Sequence, residues 1–199
     1  GNLLHRTFTF THKCVDGKVP EYNNPSDEDL AFEAEINKVP DTVGEYIANY
    51  EFREALLEIF KVAKIGNKYF NDQEPWKAVK EDMQKAANTL YLSNQLAKAL
   101  AYLLKPFLPT KADEIASILK LDDVSVWADA KVPLPSGYEI AKAKPLFKKI
   151  EDDVIANQKE KLQENLKENE EDNMSDIIDI DYFDKVDIRI GQIKEAEKI

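Results

Sequence analysis

From Met83 to Leu104 seven residues, Met83, Ala87, Leu90, Asn94, Ala97, Ala101 and Leu104, follow one another at alternating steps of four and three. Such spacing holds one stripe of a helix against neighbouring helices over its whole length. A strand would divide these side chains between its two faces. The run therefore predicts a helix from about Asp82 to Lys105 inside an all-α helical bundle. Asn94 is its one strongly polar member, and the pattern reads equally as a buried register-fixing amide or an outward-facing one.

The flanking segments supply the partners. GNLLHRTFTFTHK carries Leu3, Leu4, Phe8 and Phe10 with no capping residue before Asn2, so Gly1 is expected to lie inside a helix that has been cut. CVDGKVPEYNNPS is a loop, and Ser26 or Asp27 caps the next helix. That helix is expected to reach about Asn49, with Pro40 kinking or dividing it. From Glu51 to about Asn71, the residues Ala55, Leu56, Ile59, Phe60, Ala63 and Phe70 predict one buried face. Pro75 opens a short helix at the position where its missing N–H does no harm. After the KPFLP turn a last helix, about Lys111 to Leu119, closes a bundle of roughly five. VSVWADAKVPLPSGYEIAKAKPLF then reads as an ordered strap in which Trp127 packs into the core.

Beyond the strap, residues 148 to about 167 are helical in pattern, and NLKENEEDNMSD reads as a flexible acidic linker. KVDIRIGQI alternates Val186, Ile188 and Ile190 with Asp187, Arg189 and Gly191, which is a strand pattern. One strand does not fold alone. The expected organisation is a helical domain with its strap over 1–147, a helix and acidic linker over 148–177, and the truncated start of a second domain over 178–199.

Six glycines in 199 residues agree with a helical chain. A single cysteine, Cys14, excludes an intramolecular disulfide framework and suits a reducing, cytoplasmic setting. No apolar run approaches the roughly 18 residues that span a bilayer, so no membrane partner is expected. The net charge of −11 is uneven: residues 151–184 hold 13 acidic and 3 basic side chains, while residues 1–150 hold 22 and 20. The bundle is nearly neutral, and phosphate contacts depend on local Lys and Arg.

Catalytic signatures are absent. There is no glycine-rich phosphate loop, no HExxH and no paired CxxC. His5, His12 and Cys14 supply three potential ligands divided between a helix end and a loop, and they read as structural or surface groups. The carboxylates read as caps and solvated faces.

Three residues read differently. Asn2 and Arg6 stand one helical turn apart on one face. An amide and a guanidinium there form a natural pair for the edge of a base, although they read as well as surface polar residues. Trp76 follows Pro75 at the rigid start of its helix. Taken alone it is a core plug; presented to solvent it is a platform on which a base stacks and which adds little to stability. Lys61, Lys64 and Lys68 form a stripe on the preceding helix, and Lys77 and Lys80 follow the tryptophan. They fit a single-stranded RNA partner or a solvated face paired in part with Glu54 and Glu58.

Residues 1 to about 120 resemble the helical anticodon-binding domain of methionyl-tRNA synthetases. The likeness is carried by GNLLHR, by the N-x-Y-F-x-x-x-E-P-W run from Asn67 to Trp76, and by LKPFLP from Leu104 to Pro109. Synthetases for Leu, Ile and Val share the bundle but lack this combination. IDIDYFDKVDIRIGQIKEAEKI, Ile178 to Ile199, resembles the opening of the tRNA-binding OB-fold domain appended to many methionyl-tRNA synthetases, cut after one β-strand.

The resemblance implies that Asn2 and Arg6 contact the first anticodon base, a cytosine, that Trp76 stacks in the same site, and that Pro75 shapes its wall. It implies the anticodon loop of tRNA(Met) as partner, together with the catalytic domain of the parent chain, and dimerisation through a complete OB-fold domain. The HIGH and KMSKS motifs occur nowhere in the chain. No cofactor is therefore expected here; ATP, with zinc left open, belongs to an upstream catalytic domain, and this piece is not expected to charge tRNA. The competing expectations are a helical protein-interaction domain without an RNA role, or the equivalent domain of another class I synthetase.

Overall fold

The computed structural model describes residues 1–143, 145–147, 150–173 and 185. They fall into two units, Gly1–Lys148 and Lys149–Ile199. The first is the helical bundle that the seam predicts.

Helix α5, Met83–Leu104, is its axis. From Asn88 to Leu104 every residue except Tyr91 is buried, so partners surround the helix rather than lining one stripe. Leu90, Asn94, Ala97, Ala101 and Leu104 of the seam are buried, whereas Met83 is 48% exposed at the first turn. Around α5 lie α1 (Asn2–Val15), α2 (Asp27–Ala48), α3 (Phe52–Gln73), α4 (Pro75–Glu81) and α6 (Pro109–Ile118).

Local chemistry explains the boundaries. Ser26 caps α2 in a capping box: its hydroxyl accepts from Asp29 N–H, and the Asp29 carboxylate accepts from Ser26 N–H. Asp29 is also buried, and its oxygens accept from the Tyr69 hydroxyl at 2.5 Å and the Asn88 amide at 3.3 Å, joining α2, α3 and α5. α2 passes through Pro40 as one helix instead of dividing there. The Pro40 carbonyl accepts from the Trp127 indole N–H at 3.0 Å, which sets Trp127 half-buried against the bundle.

Asn94 is buried at the α1–α5 contact. Its Nδ2 donates to Thr11 Oγ1 and to the Leu90 carbonyl, both at 2.8 Å. The outward-facing alternative is thereby removed. The segment after α6 makes a short 3₁₀ turn, Trp127–Lys131, and then returns across the α1–α2 loop. Val19 N–H donates to the Tyr138 carbonyl and Ile140 N–H to that of Gly17.

Two expectations change. Phe60, placed by its spacing on the buried face of α3, is 48% exposed, while Ala55, Ile59 and Phe70 of that face are buried. In the second unit, helix α7 spans Asp152–Asn173, so residues 165–173 of the expected flexible linker are helical. Leu166, Lys167, Glu168, Glu170 and Glu171 are strong helix formers, and their preference carries the helix through the acidic run. The expected strand of residues 185–193 lies, apart from Lys185, outside the described residues, as does the OB-like segment.

Candidate nucleic-acid interface

The site begins where α3 turns into α4. Glu74 alone joins them, in the left-handed region at φ 45°, and Pro75 takes the first position of α4, buried. This one-residue elbow holds Trp76 beside the end of α3. The indole is half-buried, with its ring centroid 6.3 Å from both Phe10 and Phe70. Phe10 and Phe70 themselves meet edge-on at 6.0 Å. Trp76 is thus neither an enclosed plug nor a freely standing platform. Aromatic rings brace its inner part and the rest stays open.

Arg6 completes the corner. Its guanidinium carbon lies 5.3 Å from the Trp76 ring centroid and 4.8 Å from that of Phe70. Such distances are those of cation–π contacts. Nη1 donates to Asn71 Oδ1 at 2.7 Å. Two rings and a carboxamide therefore fix the plane of the guanidinium.

Asn2 sits exposed one turn earlier on α1 and lines an open groove between α1 and α3. Asn71 lines the same groove and accepts from Arg6, so it links the amide and the guanidinium picked out by their spacing. Lys64, Asn67 and Lys68 continue the groove along α3.

The five lysines divide. Lys61 is paired with Glu58 at 2.9 Å, Lys68 with Asp72 at 2.6 Å and Lys77 with Glu74 at 2.8 Å. Hydrogen bonding to those carboxylates raises the pKa of Lys61 and of Lys77. Lys64 and Lys80 are exposed and, among the described residues, have no ion pair. Lys80 stands one turn from Trp76 on α4, while Lys61 lies outside the groove lining. Glu54, the other carboxylate named as a lysine partner, pairs with Arg53 instead.

His5, His12 and Cys14 do not assemble into a centre: among the described residues no group of three or more His, Cys, Asp or Glu side chains is placed to hold a metal ion. His12 packs against Gly17, where any Cβ would meet the imidazole, and burial raises the Cys14 pKa. Sequence reasoning overlooked Asn71 and Phe10. Asn71 was visible only as an unassigned position inside the Asn67–Trp76 run.

The family model described as the anticodon binding domain of methionyl tRNA ligase matches residues 19–167. The methionine–tRNA ligase of Methanobrevibacter smithii is 72% identical over the whole chain, and that of Methanosphaera stadtmanae 48%. The chain spans 30% and 32% of those two relatives. Among solved structures, apo methionyl-tRNA synthetase of Mycobacterium tuberculosis superposes with a TM-score of 0.71 at 26% identity, over 76% of this chain and 32% of that one. The chain belongs to the anticodon-binding domain family of methionyl-tRNA ligases.

Proposed function

We propose that this domain reads the CAU anticodon for a parent methionine–tRNA ligase, with Arg6 and Asn2 addressing the edge of the first base and Trp76 stacking on a base. One observation supports the reading most: Arg6 is held by Phe70, Trp76 and Asn71, and Asn71 lines the same groove as Asn2. A guanidinium fixed in this way loses little freedom when it binds, and its remaining N–H groups offer a planar fork to a carbonyl and ring nitrogen. The partly open indole supplies stacking energy of about 1–3 kcal/mol per base. Lys64 and Lys80 add attraction to the phosphate backbone without reading sequence.

Charging falls, on this reading, to the catalytic part of the parent chain, and no step performed by this domain uses a cofactor. Dimerisation through a complete OB-fold domain and a cytoplasmic setting belong to the same proposal. The test is a titration of an anticodon stem-loop into a Trp127→Phe chain, where Trp76 is the only indole. A CAU loop should change the Trp76 emission, and a loop altered at its first base should do so only at much higher concentration. Equal responses to both loops, or none at low salt, would refute the reading.

A further inference from the structure

We infer that the groove between α1 and α3 carries the RNA strand onward from the Trp76 corner, and that Phe60 is a second stacking platform with Lys64 contacting the phosphate between. This inference rests on the anticodon-reading proposal above and extends it to nucleotides beyond the first base.

The observation that prompts it is the exposure of Phe60. Ile59 and Val62 on the buried face of α3 are covered, whereas Phe60 falls on the stripe of Lys64, Asn67 and Asn71, at steps of four, three and four. Phe60 lines the open groove, of about 840 Å³, with Asn2, Lys64, Asn67 and Asn71. Asn67 has no side-chain hydrogen bond among the described residues, and the Asn71 carbonyl is taken by Arg6 while its NH₂ is not. Carboxamides that both donate and accept, an aromatic ring and an unpaired ammonium are the groups that bind unstacked nucleotides.

Placement fits as well. Phe60 and Asn71 are eleven residues apart on α3, about 16 Å of helix, against about 3.4 Å for one stacked step of a strand. The groove thus has room for several nucleotides and joins the Trp76 corner at Asn71. Lys68 also borders it, but Asp72 neutralises that charge at 2.6 Å, which leaves Lys64 as the phosphate contact. Leu57 adjoins Phe60, is exposed, and by itself would suit a protein partner equally. The row of amides along the same groove favours RNA.

The experiment measures binding of a CAU anticodon stem-loop to the 199-residue chain and its Phe60→Ala, Phe60→Leu and Phe60→Tyr variants at fixed salt, with Trp76→Ala as reference. Phe60→Ala and Phe60→Leu should each bind roughly 5- to 150-fold more weakly, the range produced by loss of one stacking ring. Phe60→Tyr should stay within about twofold, since it keeps the ring. Lys64→Gln should reduce the slope of log Kd against log salt by about 0.7, the value for one phosphate contact on a single strand. If Phe60→Leu binds like the parent chain, an apolar ledge suffices and the stacking role is overturned. If all three Phe60 variants bind normally while Trp76→Ala does not, the strand leaves by another route and the anticodon-reading proposal survives alone. Failure of the unaltered chain to bind the loop overturns both.

Discussion

Arg6 reaches across 65 residues of sequence to donate its Nη1–H to Asn71 Oδ1 at 2.7 Å, and the same guanidinium lies over the rings of Phe70 and Trp76. Beyond a positive charge, the site therefore asks for a planar group that can bond Asn71 while lying against two rings. Lysine satisfies only the first of these demands. Arg6→Lys should weaken binding of a CAU stem-loop about 10- to 100-fold, the size of one or two charge-assisted hydrogen bonds, while leaving the unfolding midpoint close to that of the parent chain. Isothermal titration with parallel melts checks both halves.

Trp76 is braced by Phe10 and Phe70 rather than held free, so its removal affects folding as well as binding. Fully buried tryptophans cost about 3–5 kcal/mol on truncation to Ala. For this half-buried ring we expect about 1.5–2.5 kcal/mol for Trp76→Ala and less than about 1 kcal/mol for Trp76→Phe, which retains an edge against Phe10. Urea titrations give both values. A cost near zero would restore the freely exposed platform expected from sequence.

Asn94 bridges α1 and α5 from a fully buried position. Thr11 keeps its own bond to the Thr7 carbonyl at 2.9 Å if the amide is lost. Asn94→Leu, close in volume, should therefore stay within about 1 kcal/mol of the parent chain, because it also removes the buried Asn94 Oδ1, which has no partner among the described residues. Asn94→Asp should cost several kcal/mol, since it buries a charge with no cation beside it. The ordering of the two thermal midpoints is the test.

Burial, followed by the hydrogen bond to Asp29 and its negative charge, raises the Tyr69 pKa well above the usual phenol range. Tyr22 is raised in the same way by burial and by Glu33. A group whose pKa is higher folded than unfolded contributes stability that is complete below the unfolded value, about pH 10 for tyrosine, and is lost as pH rises above it. Lys98 works in the opposite sense, because burial lowers its pKa. Comparison of Tyr69→Phe with the parent chain cancels that contribution. The variant should be less stable at pH 8 by about 1–3 kcal/mol, the cost of leaving Asp29 Oδ1 without its donor. It should also lose less on going to pH 11, and melts at the two pH values measure the difference.

The helices were legible because their signals are local. The Ser26 box, the Pro75 start and the four-three spacing through Leu90 and Ala97 need no knowledge of distant partners. Phe60 shows the limit: it stands at the edge of the apolar face of α3, on the stripe of Lys64, Asn67 and Asn71, and only long-range packing decides how far around the helix its neighbours reach. Met83 fails for the same reason at the end of α5. Of the site, Asn2, Arg6 and Trp76 stood out by residue type and by family likeness. Their connection through Asn71 did not, because it joins two helices far apart in sequence. In α7 the reading of NLKENEEDNMSD as a flexible linker gave too little weight to the intrinsic preference of its Leu, Lys and Glu residues for helix.

The most direct test of the anticodon-reading account is a discrimination ratio: the affinity for a CAU loop divided by that for a loop changed only at its first base, measured for the parent chain, Arg6→Ala and Asn2→Ala. The account predicts a ratio of at least about 10 in the parent chain, as expected for edge contacts of about 1–3 kcal/mol, falling toward one in both variants. Variants that bind more weakly yet keep the full ratio would contradict it, since Arg6 and Asn2 would then hold the RNA without reading it.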